Sequence, residues 1–231
     1  MTLEPVPDDW DRALAIVAHP DDMEYGAAAA VAHWTARGKQ VSYLLVTRGE
    51  AGIDDIDPVE CARIREAEER ASAAIVGVES VEFLDHHDGV VEYGLPLRRD
   101  LALAIRRHRP EVVITLDHHA TGGGYFNMAD HRHVGLATLD AVRDAANRWV
   151  FTDAEPESWS GVRFALIAGG TATHFVDVTG ELELGIASLE AHARYLAHVG
   201  TNAREFLAEM AAQTGRECGA RYATAFELIT L

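Results

Sequence analysis

The segment His19-Pro20-Asp21-Asp22-Met23-Glu24 puts one imidazole and three carboxylates into six residues, directly after the apolar run Ala13-Leu14-Ala15-Ile16-Val17-Ala18. His19 and Asp22 are three residues apart, so a ring nitrogen and a carboxylate oxygen can converge on one ion while Asp21 points elsewhere. That mixture of N and O donors suits zinc or another divalent metal. A catalytic zinc takes three protein ligands and keeps a position open for water, so a third ligand must come from a distant segment. His131 and His133 are the candidates. Two residues apart on a helix, they point roughly 200° away from each other, and only one of them can easily join the site. Three further polar clusters follow apolar runs: Arg48-Gly49-Glu50-Ala51-Gly52, Asp85-His86-His87-Asp88-Gly89 and Asp117-His118-His119. Taken singly, each acid or histidine would serve equally well as a helix cap or loop ligand. Four strand ends carrying such groups together point to a site.

These groups need a scaffold that brings strand ends to one edge. The run at 13–18 is continuously apolar, as in a strand covered on both faces, and an Ala-rich helix over 26–37 stops at Gly38 before a second buried strand at 41–47. Asp57-Pro58 opens a helix with apolar residues at helical spacing that ends near Gly77. A short strand at 81–84, a helix at 97–109 closed by Pro110, a strand at 112–116 and a helix at about 130–146 continue the alternation. Strands at 163–168, 173–178 and 223–231 and helices at 182–199 and 203–213 complete it. Between 117 and 127, Gly122-Gly123-Gly124 predicts an irregular loop. The pattern predicts an α/β fold, a Rossmann-like three-layer sandwich with a mostly parallel sheet, as a single domain over 1–231, whose ligands gather at the carboxyl ends of the strands.

Composition narrows the functions this scaffold can serve. Twenty Lys and Arg against thirty-seven Asp and Glu give a net charge of −17, with no basic stripe, which argues against a nucleic-acid partner. No apolar run approaches the length of a membrane span, and the start lacks a basic and apolar leader, so a cytoplasmic protein without a membrane partner is expected. Cys61 and Cys218 lie far apart and suggest neither a disulfide framework nor a cysteine zinc site. Twelve histidines direct attention to metal or acid–base chemistry.

The run Ala18-His19-Pro20-Asp21-Asp22-Met23-Glu24 before an Ala-rich helix closely resembles the opening motif of the PIG-L/LmbE-like zinc-dependent de-N-acetylases. Thr47 to Gly52, Arg65-Glu66-Ala67-Glu68, Asp88-Gly89 and Ala129-Asp130-His131-Arg132 resemble later segments of that family in order, and Tyr222 to Phe226 resembles its C-terminal signature more weakly. The resemblance implies that His19, Asp22 and His131 bind Zn2+. Asp21 matches the general base, which would take a proton from water attacking an acetamide carbonyl and pass it to the leaving amine. Arg48, Arg65 and Asp88 are expected on the substrate side, Arg65 as the match to the family's substrate-side arginine. The implied partner is a small N-acetylated glycoside or related conjugate, and homo-oligomers are an expectation of the same resemblance.

One position departs from the family. Met128 stands where a histidine helps to hold the oxyanion, and a thioether donates no hydrogen bond. Tyr125 is the first choice of replacement donor and His119 the second. Asp130, the match to the aspartate that orients the missing histidine, is then left to cap its helix. Two other readings compete. Asp85-His86-His87 and Asp117-His118-His119 each look like the DHH triplet of manganese phosphoesterases, and Met128 is compatible with a catalytically weakened zinc-binding protein.

Overall fold

The computed structural model describes residues 2–122 and 125–231. In chain order the elements are β1 (Glu4–Pro5), β2 (Arg12–Val17), α1 (Asp22–Gly26), α2 (Ala28–Thr35), β3 (Gln40–Leu45), α3 (Pro58–Ile75), β4 (Ser80–Phe83), α4 (Leu95–His108) and β5 (Val112–Leu116). They continue with β6 (Thr121–Gly122), β7 (Tyr125–Phe126), α5 (Ala129–Ala146), β8 (Phe164–Ala168), β9 (His174–Asp177), α6 (Leu182–Glu190), α7 (Ala193–Val199), α8 (Ala203–Cys218) and β10 (Ala223–Thr230).

Eight strands form one sheet in the order β1-β9-β10-β8-β5-β2-β3-β4. Every pairing is parallel except those of β10, which runs antiparallel to both β8 and β9. From β2 the chain first builds outward through β3 to β4 and then crosses to lay β5 and β8 on the other side. The point between β2 and β5 is therefore the switch point of the sheet, where an open α/β fold leaves a crevice at the strands' carboxyl ends. Leu14, Ile16, Val113, Ile114, Leu166 and Ile167 are wholly buried, as a sheet covered on both faces requires. The helices α4 and α5 pack together over β2 and β5, while α2, α3 and α8 all pack against α6.

Local chemistry explains the helix starts. The Asp57 carboxylate accepts from the Val59 amide at 3.0 Å with Pro58 at the first helical position of α3, and Asn202 caps α8 through the Glu205 amide at 3.2 Å. Two expected helices are broken. The one expected at 26–37 begins earlier, at Asp22, and is interrupted at Ala27, whose φ of −143° is not helical. The one expected at 182–199 parts at His192, with ψ 48°, where the ring turns into a buried polar cluster described below. β6 and β7 pair antiparallel inside the expected irregular loop.

Candidate functional site

The turn after β2 is closed by its own aspartate. The amides of Ala18 and His19 donate to Asp22 Oδ2 at 3.0 and 2.7 Å, which fixes Asp22 at the start of α1 with its other oxygen free to face the crevice. That oxygen, Oδ1, lies 3.1 Å from Nε2 of His131, and Nδ1 of His19 lies 3.6 Å from Asp22 Oδ2. One donor atom from each of His19, Asp22 and His131 falls within 4.8 Å of the others. Two imidazole nitrogens and a carboxylate oxygen at this separation match the donor set of a catalytic zinc, so the residues present fit the metal. The local charges agree. Burial opposes a proton on His19, yet Asp130, Asp22 and Asp88 hold its pKa well above the ordinary histidine value. Burial likewise disfavours ionised Asp22, but His131 and His19 hold it well below the usual carboxylate range. The pocket favours positive charge.

His133 faces away from this cluster, its Nδ1 on the Val91 carbonyl at 2.6 Å. Its neighbour Asp130 does more than cap a helix. The Asp130 carboxylate accepts from the amides of Gly89 and Val91 at 2.7 and 3.2 Å and sits 3.3 Å from His19 Nε2. Asp88 Oδ1 stands 3.1 Å from the same nitrogen, while its Oδ2 takes the Ala51 amide at 2.8 Å. Asp88, expected on the substrate side, is thus engaged behind the His19 ring, where carboxylates orient a metal-binding imidazole.

Asp21 is held from several sides. Its backbone lies in the left-handed region at φ 95°, uncommon for a residue with a side chain. Its amide donates to Glu69 Oε2 at 3.1 Å, and its Oδ1 pairs with Arg65 at 3.2 Å. Its Oδ2 is buried and has no hydrogen-bond partner among the described residues. Burial pushes the Asp21 carboxyl up to about 7, against the pull of Arg65.

Arg65 also departs from its expected role. It is 2% exposed, and its guanidinium pairs with Asp21, donates to the Pro20 carbonyl and lies 3.8 Å from the Tyr195 ring centre, so it serves the base from within the fold. A side chain at Gly52 would collide with this guanidinium, which explains the glycine in the loop after β3. Arg48 is partly exposed and paired with Glu66 and, at 2.9 Å, with Asp85.

Behind Asp21 lies a polar cluster that residue-by-residue reading dispersed. Glu24 and His192 are wholly buried with Glu69. His192 Nε2 is 3.7 Å from Glu24 and 3.6 Å from Glu69, and Ser72 donates to Glu24 at 2.7 Å. Burial and the adjacent Glu24 push Glu69 well above the usual carboxylate range. The sequence signal for this cluster was weak, because its members are far apart in the chain and each has an ordinary local explanation.

The loop after β5 contrasts with all of this. His119 is half exposed and tied to Asp117 at 2.7 Å, with His118 stacked beside it at 4.3 Å. Met128 is 54% exposed at the start of α5. The Tyr125 backbone pairs with Gly122, while its side chain lies outside the described residues. The two DHH triplets do not combine. His86 is held by Asp100 at 3.0 Å, exposed His87 stands 3.7 Å from Glu50, and Asp117, His118 and His119 form a group of their own.

Known proteins share this arrangement of strands and motifs. The family model for PIG-L, described as GlcNAc-PI de-N-acetylase, matches residues 14–142. The diacetylchitobiose deacetylase of Thermococcus kodakarensis is 29% identical over 229 residues, covering 96% of this chain and 84% of that protein. A 1D-myo-inositol 2-acetamido-2-deoxy-alpha-D-glucopyranoside deacetylase of Mycolicibacterium gilvum is 34% identical over 164 residues, 58% of this chain and 55% of that one. In fold, the solved N,N'-diacetylchitobiose deacetylase of Pyrococcus horikoshii superposes with a TM-score of 0.86 at 24% identity, covering 96% and 84% of the two chains.

Proposed function

Because this chain belongs to the PIG-L family of de-N-acetylases and is an amide hydrolase, we propose that it removes the acetyl group from a small N-acetylated amino sugar or related glycoconjugate, with zinc held by His19, Asp22 and His131. The observation that carries this reading is the unpartnered Oδ2 of Asp21, a buried carboxylate oxygen beside a cluster of two histidines and an aspartate. Zinc bound there would supply Lewis-acid chemistry, acidifying water and stabilising charge on the acetamide oxygen.

The remaining work belongs to the chain's own groups. Asp21 Oδ2 takes the proton from the attacking water and returns it to the leaving nitrogen, so acetate and a free amine result. Arg65 holds the other oxygen of Asp21 and Glu69 holds its amide, which keeps the base in one orientation through the cycle. Asp88 and Asp130 fix the His19 ring from behind. On the substrate side Arg48 is the charged group we assign, and Tyr125 is the first choice for the second oxyanion donor, because a phenol donates where Met128 cannot. His119, held by Asp117, is the second choice. No helix is long and apolar enough to cross a membrane among the described residues.

The phosphoesterase alternative loses support because its two triplets are held apart by separate partners. A weakened protein that binds zinc without turnover differs from the proposed enzyme in one measurable respect. Incubating zinc-loaded protein with N-acetylated mono- and disaccharides and following the mass of one acetyl group by liquid chromatography tests the reading. Loss of acetyl mass is expected; intact substrates across N-acetylated glycosides would leave only metal binding.

A further inference from the structure

The short helix α7 adds little to the core, since none of its seven residues is fully buried. Two rings nonetheless leave this turn for the interior: His192, wholly buried at the break before the helix, and Tyr195, packed on buried Arg65. Each ring reaches one of the two groups that hold Asp21. His192 Nε2 lies 3.6 Å from Glu69 Oε2, the same oxygen that accepts the Asp21 amide at 3.1 Å. The Tyr195 ring centre lies 3.8 Å from the Arg65 guanidinium, which pairs with Asp21 Oδ1 at 3.2 Å. The turn is itself tied to α3, the helix that carries both Arg65 and Glu69, because the Arg194 amide donates to Glu68 Oε1 at 2.6 Å.

Both supports of Asp21 need such backing. One oxygen of Glu24 and one of Glu69 lie within 4.8 Å of each other in the interior, where no solvent screens their repulsion. His192 Nε2 faces both, at 3.7 Å from Glu24 and 3.6 Å from Glu69, so a hydrogen on it draws the two carboxylates together and keeps Glu69 directed at the Asp21 amide. Arg65 is a buried cation whose Nε has no hydrogen-bond partner among the described residues, and the face of Tyr195 supplies the attraction that water would otherwise give. Asp21 itself sits at φ 95°, a conformation that a residue with a side chain keeps only while its surroundings enforce it.

From this juxtaposition we propose that His192 and Tyr195 are positioning residues for the base. The turn between α6 and α7 clamps Glu69 and Arg65, and through them fixes both the backbone and the carboxylate of Asp21 beside the metal site. The inference rests on the assignment of Asp21 as the base. A turn that served stability alone would leave Asp21 in place when its rings are removed.

The test joins crystal structures of zinc-loaded His192→Ala and Tyr195→Leu to their rates on N,N'-diacetylchitobiose. In both variants the Asp21 carboxylate should move by about 1 Å or more, while His19, Asp22 and His131 stay in place and zinc remains bound. The rate should follow, with kcat lower by roughly 10-fold or more and KM changed by less than about 3-fold. His192→Gln, which returns an N–H near the place of Nε2, and Tyr195→Phe, which keeps the ring face over Arg65, should restore most of kcat. In an Asp21→Asn background, Tyr195→Leu should cost less than about 3-fold further. Should His192→Ala fail to fold, Tyr195→Leu, at a partly exposed position, decides the matter. An unmoved Asp21 in Tyr195→Leu, or losses that multiply with those of Asp21→Asn, assigns the turn to stability alone and overturns the proposal. Displacement of Asp21 as expected, in an enzyme whose wild type releases no acetate from any N-acetylated saccharide, keeps the clamp and overturns the proposed reaction instead.

Discussion

The turn after β2 and the loop after β5 meet at the same crevice, yet they are built in opposite ways. In the first, His19, Asp21 and Asp22 are all buried, and the turn is closed by Asp22 through two amides. His19 is backed by two carboxylates, and Asp21 by an arginine and a glutamate. In the second, His119 is half exposed with one acid as its partner, and Met128 stands in solvent at the head of α5. The difference separates two requirements. Metal ligation and proton transfer, as proposed for the first group, tolerate little misplacement, and those residues sit where the sheet and three helices surround them. Contacts proposed to tune the substrate sit on an open loop, where Met128 makes no hydrogen bond with the buried group among the described residues.

That division predicts that loss of the buried base costs at least as much as any single change in the loop. The largest effect is expected for Asp21→Asn, which keeps the shape and removes the base. Turnover should fall by roughly 10²-fold or more while zinc stays bound, as read by steady-state kinetics beside elemental analysis. Near-normal activity with zinc retained would remove Asp21 from the mechanism. Next comes Tyr125→Phe, where a lost oxyanion donor would lower kcat by roughly 10²-fold with zinc affinity unchanged. A silent Tyr125→Phe together with a severe His119→Ala would transfer that role to the histidine, and two silent variants would leave the metal to stabilise the oxyanion unaided.

A smaller effect probes the support behind the base. Glu69→Ala removes the acceptor of the Asp21 amide, and a base displaced in this way should cost roughly 10-fold or more in kcat. Combined with Asp21→Asn it should cost little further, because a residue that acts through Asp21 has nothing left to position. Multiplying losses in the double variant would show that Glu69 matters only for folding, and Glu69→Gln, which keeps an acceptor oxygen, should restore most of the rate. With Tyr125 as the donor, His119→Ala is expected to have the smallest effect, below about 3-fold, because its ring is half exposed and tied to Asp117 in an open loop.

The same division governs what could be read from the residues. His19 and Asp22 were legible because their convergence depends on a spacing of three residues inside one turn. His131 followed only from family resemblance, since spacing left it open against His133 until the Val91 carbonyl placed His133 elsewhere. Asp88 and Arg65 were seen as polar groups near strand ends, but their direction depends on tertiary contacts, with the His19 ring and with Asp21. Parallel strands announced themselves as continuous apolar runs, whereas the antiparallel direction of β10 leaves no mark in its composition. The break at His192 was hidden for a related reason: it is set by two glutamates more than a hundred residues earlier in the chain, not by a local helix-breaking residue.

The central claim is that one metal is held between the turn after β2 and the start of α5, and elemental analysis of purified variants tests it most directly. Wild-type protein should carry about one zinc per chain. His131→Ala should lose it, and His133→Ala, whose ring is engaged with Val91, should keep it. Full occupancy in His131→Ala with loss in His133→Ala would contradict the site described here.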